Sequence, residues 1–389
     1  MEIILFLYFS FLLGIGVIAS KNVNNISDYY VGGKQLNYWI AALSARSTGE
    51  SGWLLLGVTG MGAVMGLSAF WIVLGEVIGV FLSWHFMAAK FKNLTDRYNS
   101  ITVPDFLHSH FNAKTNTIRI IAATALSAFV VIYVSAQIDI TGKTFESFLG
   151  YNYYNGIFIG FGIVVAYIFS GGFLAVAWSD IFQGSLMFVA LLILPIVAYF
   201  QLPTDTNFFQ GLSDIDPSLL NIWGDGGFNL LNAFSVIGLL SIGIGFLGSP
   251  QVYVRFIAIR DSAEIKKGKI VAVLYTLITS SSAVVIGMLG RFMFTTSNQN
   301  PELALGVAGE NVLYLLLIDI MPNVIVGFYI AALLSAVMST VDSLLVVASS
   351  AVTRDFYQQI INPNADSQLL INLSKKVTLA LAFFALFVA

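Results

Sequence analysis

The chain has 389 residues, of which 57% are hydrophobic and 10% charged. A water-soluble domain carries about 25% charged residues, so an ordinary soluble fold is excluded. The net charge of −3 argues against a nucleic-acid partner held through phosphates, and the absence of cysteine excludes disulfides, thiol chemistry and cysteine-ligated metals.

A helix that crosses a bilayer needs roughly 20 mostly apolar residues. Ten apolar segments are read in chain order: 2–20, 36–66, 69–90, 119–140, 154–173, 181–201, 229–253, 270–293, 311–350 and 373–389. The first lacks the basic start and the small-residue cleavage site of a signal peptide, so a retained helix is expected. The second is interrupted by SARSTGESGW, residues 44–53, which holds Arg46 and Glu50. The stretch 202–228, rich in Asp, Asn, Gly and Pro, reads as a surface loop with room for a short helix. The seventh segment is interrupted by SIGIGFLGSP, residues 241–250. The tenth stops at LAFFALFVA without a cap or flanking charge, which reads as a truncated end with further helices to follow.

Basic residues orient this layout. Of the 18 lysines and arginines, fifteen fall after odd-numbered segments, among them Lys90, Arg97, Arg119, Arg255, Arg260 and Arg354. Only Lys143 and Arg291 follow even-numbered ones, and Arg46 lies within a span. The positive-inside rule then places the odd loops in the cytoplasm and the N-terminus outside, in a multi-pass protein of the cell membrane.

Backbone polar groups freed inside a membrane must find protein, ion or water partners. Interruptions in corresponding halves of a chain therefore point to a transporter site. Here the two interruptions open two halves of five helices each. Residues 36–201 form the first, 229–389 an incomplete second, and 1–35 an extra N-terminal helix and loop. An odd helix number per half inverts the second half relative to the first. The pairs Gly62/Gly66, Gly75/Gly79 and Gly156/Gly160 read instead as close-packing positions.

Charge at membrane depth is costly and marks function. Arg46, Glu50, Glu76, Asp139 and Asp342 all fall within segments. Arg46 and Glu50 are spaced to pair on one helical face. Glu76 has no local partner and needs a cavity, a cation or Arg46; Asp139 lies near an outer end and can be hydrated. In the ninth segment Ser339, Thr340, Asp342 and Ser343 crowd oxygen onto little more than one turn. Such oxygens suit a hard cation, or they bond back to the preceding turn.

Four stretches in order, DYYVGGKQL, ALSARSTGESGWLLLG, GGFLAVAWSDIFQGSLM and SAVMSTVDSLLVVASSAVTRDFY, resemble the sodium:solute symporter family, nearest its sodium/proline branch. The resemblance runs from about residue 27 to the end. It implies an all-α integral membrane protein with the leucine-transporter-like inverted five-helix repeats and one extra N-terminal helix. It also implies import of a small polar organic solute with Na+ across the lipid bilayer by alternating access. Carried over to this sequence, the family's sodium site falls on Ser47, Glu50, Ala336, Ser339 and Thr340. A second sodium set falls on Asp180, Asp342 and Ser343. Substrate positions fall on Ser51, Trp53, Glu76, Tyr133, Gln137 and Phe246. The chain departs from proline carriers at Gly49, where they have an aspartate, and in the added charges Arg46 and Glu76. Such a cavity suits a polar or zwitterionic solute.

Rival readings are weaker. An enzyme would need a catalytic set at depth, and no H-E-x-x-H or aspartate-rich motif occurs; His85, His108 and His110 lie near the inner surface. No repeated filter ring suggests a channel. A solute sensor that uses the transporter fold, with a signalling region beyond residue 389, is the main alternative.

Overall fold

The computed structural model describes residues 1–389 except 204, 206 and 298 and the side chain of residue 170. Among the described residues the sole β pairing is an isolated bridge between Leu36 and Ile259, and the regular structure is otherwise helical. Among the described residues eight helical runs are long and apolar enough to cross a membrane; dividing one of them at Gly66 and adding the shorter helix Tyr153–Phe169 accounts for the ten apolar segments. Helix α1 is Glu2–Ser20. Helix α2 is Tyr38–Gly52, continued through Trp53–Val58 and Thr59–Met65. Helix α3 is Phe70–Leu82, continued through Ser83–Met87 to Ala88–Arg97. Helices α4, α5 and α6 are Thr117–Leu149, Tyr153–Phe169 and Gly171–Phe200. Helix α7 comprises Leu230–Ser241, Ile242–Gly248 and Pro250–Ala258. Helices α8, α9 and α10 are Ser262–Phe294, Asn323–Ser350 and Ser367–Val388.

Helices α2 and α3 follow without a loop, but Gly66 (φ 56°, ψ −130°) breaks the run. Helix α8 records the reversal. A Cβ on its Gly268 would meet Trp84 and the Tyr38 carbonyl, and one on its Gly287 would meet the Thr59 carbonyl and Ala63. So α2 runs along α8 in one direction and α3 returns along it. Asp261 caps α8 by accepting the backbone N–H groups of Glu264 and Ala263, which hold its carboxyl below the usual range.

Helix α9 is the axis of the molecule. Every residue from Tyr329 to Ser350 is buried, and α9 packs on α1, α2, α4 and α6. Its mostly apolar surface suits such an enclosed position, and its buried hydroxyls and Asp342 find partners there. The first half of α7 is the opposite case, with Leu230, Leu231, Phe234, Ile237 and Ile244 exposed.

Two expected boundaries are corrected. No loop separates the fifth and sixth segments. A single residue, Gly172 (φ 53°, ψ −144°), breaks the helix there, and a Cβ on it would come within 2.7 Å of the Tyr29 ring. Nor is 311–350 one helix. Val312–Ile320 is a short helix that ends before Pro322, since proline cannot continue it and disfavours helical backbone at the residue before it. The loop 202–228 does carry short helices, Phe208–Ile215 and Pro217–Leu220.

The glycine pairs act as close-approach points. A Cβ on Gly75 would lie 2.4 Å from the Leu240 carbonyl, and on Gly79 1.9 Å from that of Gly243. Gly156 and Gly160 meet Phe145 and Thr141 of α4 in the same way. Gly66 makes the break as well, and a Cβ on it would also lie 2.1 Å from the Leu219 carbonyl. Gly79→Ala must separate two backbones and should destabilise the protein by about 1–3 kcal/mol. Gly238→Ala points into open space and should be neutral. Thermal unfolding in detergent checks the pair; equal melting temperatures would rule out this α3–α7 contact as tight packing.

Candidate functional site

The SARSTGESGW stretch is helical until Ser51, whose φ of 54° and ψ of −176° leave the helical region. A wide π-type turn, Trp53–Val58, follows. Non-glycine residues rarely adopt positive φ, and α4 braces this one. Gly52 N–H donates to Gln137 Oε1 at 3.1 Å, and Tyr133 O–H donates to Ser51 Oγ at 3.0 Å. Ser51 Oγ also accepts the Trp53 N–H at 3.2 Å. Gln137 thus holds a peptide group that the interruption sets free, and Tyr133 holds the Ser51 side chain.

On its other side the interruption meets α9. Ser339 Oγ donates to the Ser47 carbonyl at 3.0 Å, and Thr340 Oγ1 to the Thr48 carbonyl at 3.1 Å. Both hydroxyls also approach the Ala336 carbonyl, at 3.3 and 3.0 Å. Four of the five expected sodium oxygens, those of Ser47, Ala336, Ser339 and Thr340, therefore converge. The fifth, the Glu50 carbonyl, accepts the Trp53 N–H instead. The Thr48 carbonyl joins the group, which the sequence reading did not foresee. The cluster is buried and made of neutral oxygens, a donor set suited to a hard cation.

Just beyond it lies a fully buried ionic cluster. Arg255 Nη2 contacts Asp180 Oδ2 at 2.9 Å and Ser343 Oγ at 2.5 Å. Its Nε donates to Ser44 Oγ at 2.9 Å, its Nη1 to the Gln251 carbonyl at 3.0 Å. Asp342 accepts Tyr167 O–H at 2.7 Å and Ser343 Oγ at 3.1 Å. Asp180, Asp342 and Ser343 are thus brought together as expected, but around a guanidinium. Arg255 was expected in a loop, and the structure buries it completely within Pro250–Ala258. Its signal in the sequence was available: a lone cation in the apolar run YVRFIA, just as Arg46 is lone in α2. Arg119, also expected in a loop, is buried against Asp105 at 2.9 Å.

A cavity of about 830 Å³ opens between α2, α4 and α7. Ser51, Trp53, Glu76, Tyr133 and Phe246 line it. Gln137, the sixth expected substrate contact, is not in the lining and braces Gly52 instead. Arg46 and Glu50 form a buried ion pair behind Gly49, and the Phe246 ring lies 4.8 Å from the Arg46 guanidinium carbon. Glu76 Oε2 accepts Ser280 Oγ at 2.6 Å. Asp139 is half-exposed, paired with Lys143 at 3.1 Å.

Arg255→Ala should leave Asp180 buried and uncompensated, at a loss of about 3–5 kcal/mol. Adding Asp180→Ala to it should recover much of that. A double-mutant cycle on unfolding measures this coupling; strictly additive effects would refute a direct Arg255–Asp180 interaction.

The chain matches the sodium:solute symporter family over residues 29–389. It is 34% identical over 385 residues to the high-affinity proline transporter PutP of Bacillus subtilis, covering 97% of this chain and 78% of that one. It is 30% identical over 389 residues to the sodium/proline symporter of Haemophilus influenzae, covering 98% and 76%. Among solved structures, a Na+-coupled sialic acid symporter in a substrate-bound outward-open state aligns with a TM-score of 0.84 at 21% identity, over 99% of this chain and 80% of that one. A nucleobase-cation-symport-1 family transporter aligns with a TM-score of 0.55 at 12% identity, over 94% and 77%. The chain therefore belongs to the sodium:solute symporter family and is a multi-pass, sodium-coupled secondary transporter with the leucine-transporter-like fold.

Proposed function

We propose that the chain imports a small polar solute, proline or a close chemical relative, by alternating access across the cell membrane. Relatives named for proline support the solute class. The basic ends of the helices face the cytoplasm in this reading and the N-terminus lies outside. Residues 36–201 and 229–389 act as the two inverted repeats, with 1–35 appended.

The observation that carries the proposal is the tie between α9 and the interruption of α2. Ser339 and Thr340 reach the carbonyls of Ser47 and Thr48, and Gly49 and Ser51, next along the same stretch, line the cavity. Sodium takes the oxygens of Ser47, Ala336, Ser339 and Thr340, and that of Glu50 once its carbonyl gives up the Trp53 N–H. The solute takes the cavity against Ser51, Trp53, Glu76, Tyr133 and Phe246, with Gln137 positioning the backbone. Each ligand orders the stretch that the other needs. Sodium must then raise solute affinity by the same factor as solute raises sodium affinity. A membrane potential favours cation entry by about 2.3 kcal/mol per charge per 100 mV. A second sodium belongs at Asp180, Asp342 and Ser343. Arg255 pairs with Asp180, Asp342 is held only by the hydroxyls of Tyr167 and Ser343, and a further cation balances the remaining formal charge.

Ser339→Ala and Thr340→Ala should each remove about 1–2 kcal/mol of ion binding, raising the Na+ concentration for half-maximal uptake roughly five- to thirty-fold. Asp342→Asn should lower the Hill slope for Na+ towards one. Uptake by proteoliposomes over a sodium titration reads all three. Unchanged sodium dependence in both hydroxyl variants would refute the first site, and an unchanged slope in Asp342→Asn would refute the second.

A further inference from the structure

Glu76 is the one charged side chain in the cavity lining. Its Oε2 is satisfied by Ser280, and among the described residues Oε1 has no protein donor. The nearby charges, Arg46 and Glu50, pair with each other. Phe246 lies over the guanidinium and lines the cavity, and Arg46 itself is not in the lining. What faces the cavity is therefore one carboxyl group at membrane depth with no basic side chain beside it in the lining. The rings of Trp53, Phe129, Tyr133 and Phe246 line the same cavity. A carboxylate among aromatic faces is the chemistry that holds a cationic nitrogen with apolar substituents, since ring faces attract such a cation and the carboxylate neutralises it. No basic side chain lines the cavity to demand a carboxylate in return.

We propose that Glu76 is the counter-ion for a substituted ammonium on the solute, and that this positive nitrogen, not a carboxylate, is the primary determinant of selection. The proposal rests on this cavity being the solute site of the symport reading. It names the group that the solute must carry and the residue that reads it.

Three probes separate the terms: L-proline, which has both charges; pyrrolidine, which keeps the ring nitrogen and lacks the carboxylate; and tetrahydrofuran-2-carboxylate, which keeps the ring and carboxylate and lacks the nitrogen. Each is titrated against the full chain in saturating Na+, with thermal stabilisation as readout. L-proline and pyrrolidine should stabilise the protein, and tetrahydrofuran-2-carboxylate should not. Glu76→Gln should weaken pyrrolidine binding at least tenfold, and Glu76→Asp should retain most of it. If Glu76→Gln fails to fold, the comparison of pyrrolidine with tetrahydrofuran-2-carboxylate on the native chain still decides. Binding of the furan acid with an inert pyrrolidine overturns the proposal, as does pyrrolidine binding unchanged by Glu76→Gln. A chain stabilised by Na+ but by none of the three probes overturns it as well and leaves the symport reading standing. A chain indifferent to Na+ brings down that reading instead.

Discussion

A helix interrupted in the middle of a membrane cannot leave its peptide groups to water, and each unsatisfied group costs several kcal/mol. The interruption of α2 is tolerable because its neighbours answer it. Gln137 accepts the Gly52 N–H, while Ser339 and Thr340 reach the Ser47 and Thr48 carbonyls. This requirement sets much else in the molecule. It needs α9 at the centre with hydroxyls facing α2, and α9 is accordingly enclosed from Tyr329 to Ser350. It needs α4 on the opposite flank, and α4 supplies both Gln137 and Tyr133. The oxygens that repair the backbone are the same ones that an alkali ion can take over, so the place where the fold is weakest is the place where an ion can act on it.

Charge follows the same logic. A buried ion pair gains little net stability, because desolvation offsets the attraction, but losing one partner is severe. Arg46 with Glu50 and Arg255 with Asp180 are both of this kind. The first is local, one turn of α2. The second ties α7 to α6, and through Ser44 and Ser343 to α2 and α9. A guanidinium suits that role, because its planar fork offers several donors in fixed directions.

The apolar helices were legible because bilayer thickness imposes a length on apolar runs. The interruption at 44–53 was legible because charge and glycine have no other reason to appear there. The hydroxyl pair Ser339 and Thr340 was visible as oxygen crowding, although its partners on α2 came only from the family resemblance. The missed features share a cause. Gly172 turns the chain with one left-handed residue and no polar loop, so hydropathy sees nothing. The break at Pro322 lies inside an apolar run of permissible length. Arg255 was assigned to a loop because counting basic residues treats every arginine near a span end as solvated. Whether such an arginine faces water or a buried carboxylate depends on a residue 75 positions away, Asp180.

Gly49 shows how the two interruptions become one device. A Cβ there would come within 3.1 Å of the Phe246 ring and 3.5 Å of Arg46 Nη1. Only a bare backbone lets the wound-down part of α7 lie this close to α2 and lets Phe246 rest on the guanidinium. With Glu50 four residues beyond Arg46, the charge of α2 is balanced before any ligand arrives. An arriving sodium ion then changes the net charge at the junction, rather than replacing a side-chain cation already present. A fixed arginine left unpaired at that point would repel the ion. A glutamate left unpaired would hold it too tightly for release. Balanced against each other, they leave the ion's affinity, in the proposed site, to the neutral oxygens of Ser47, Ala336, Ser339 and Thr340. A weak and reversible ion site is what a transport cycle requires.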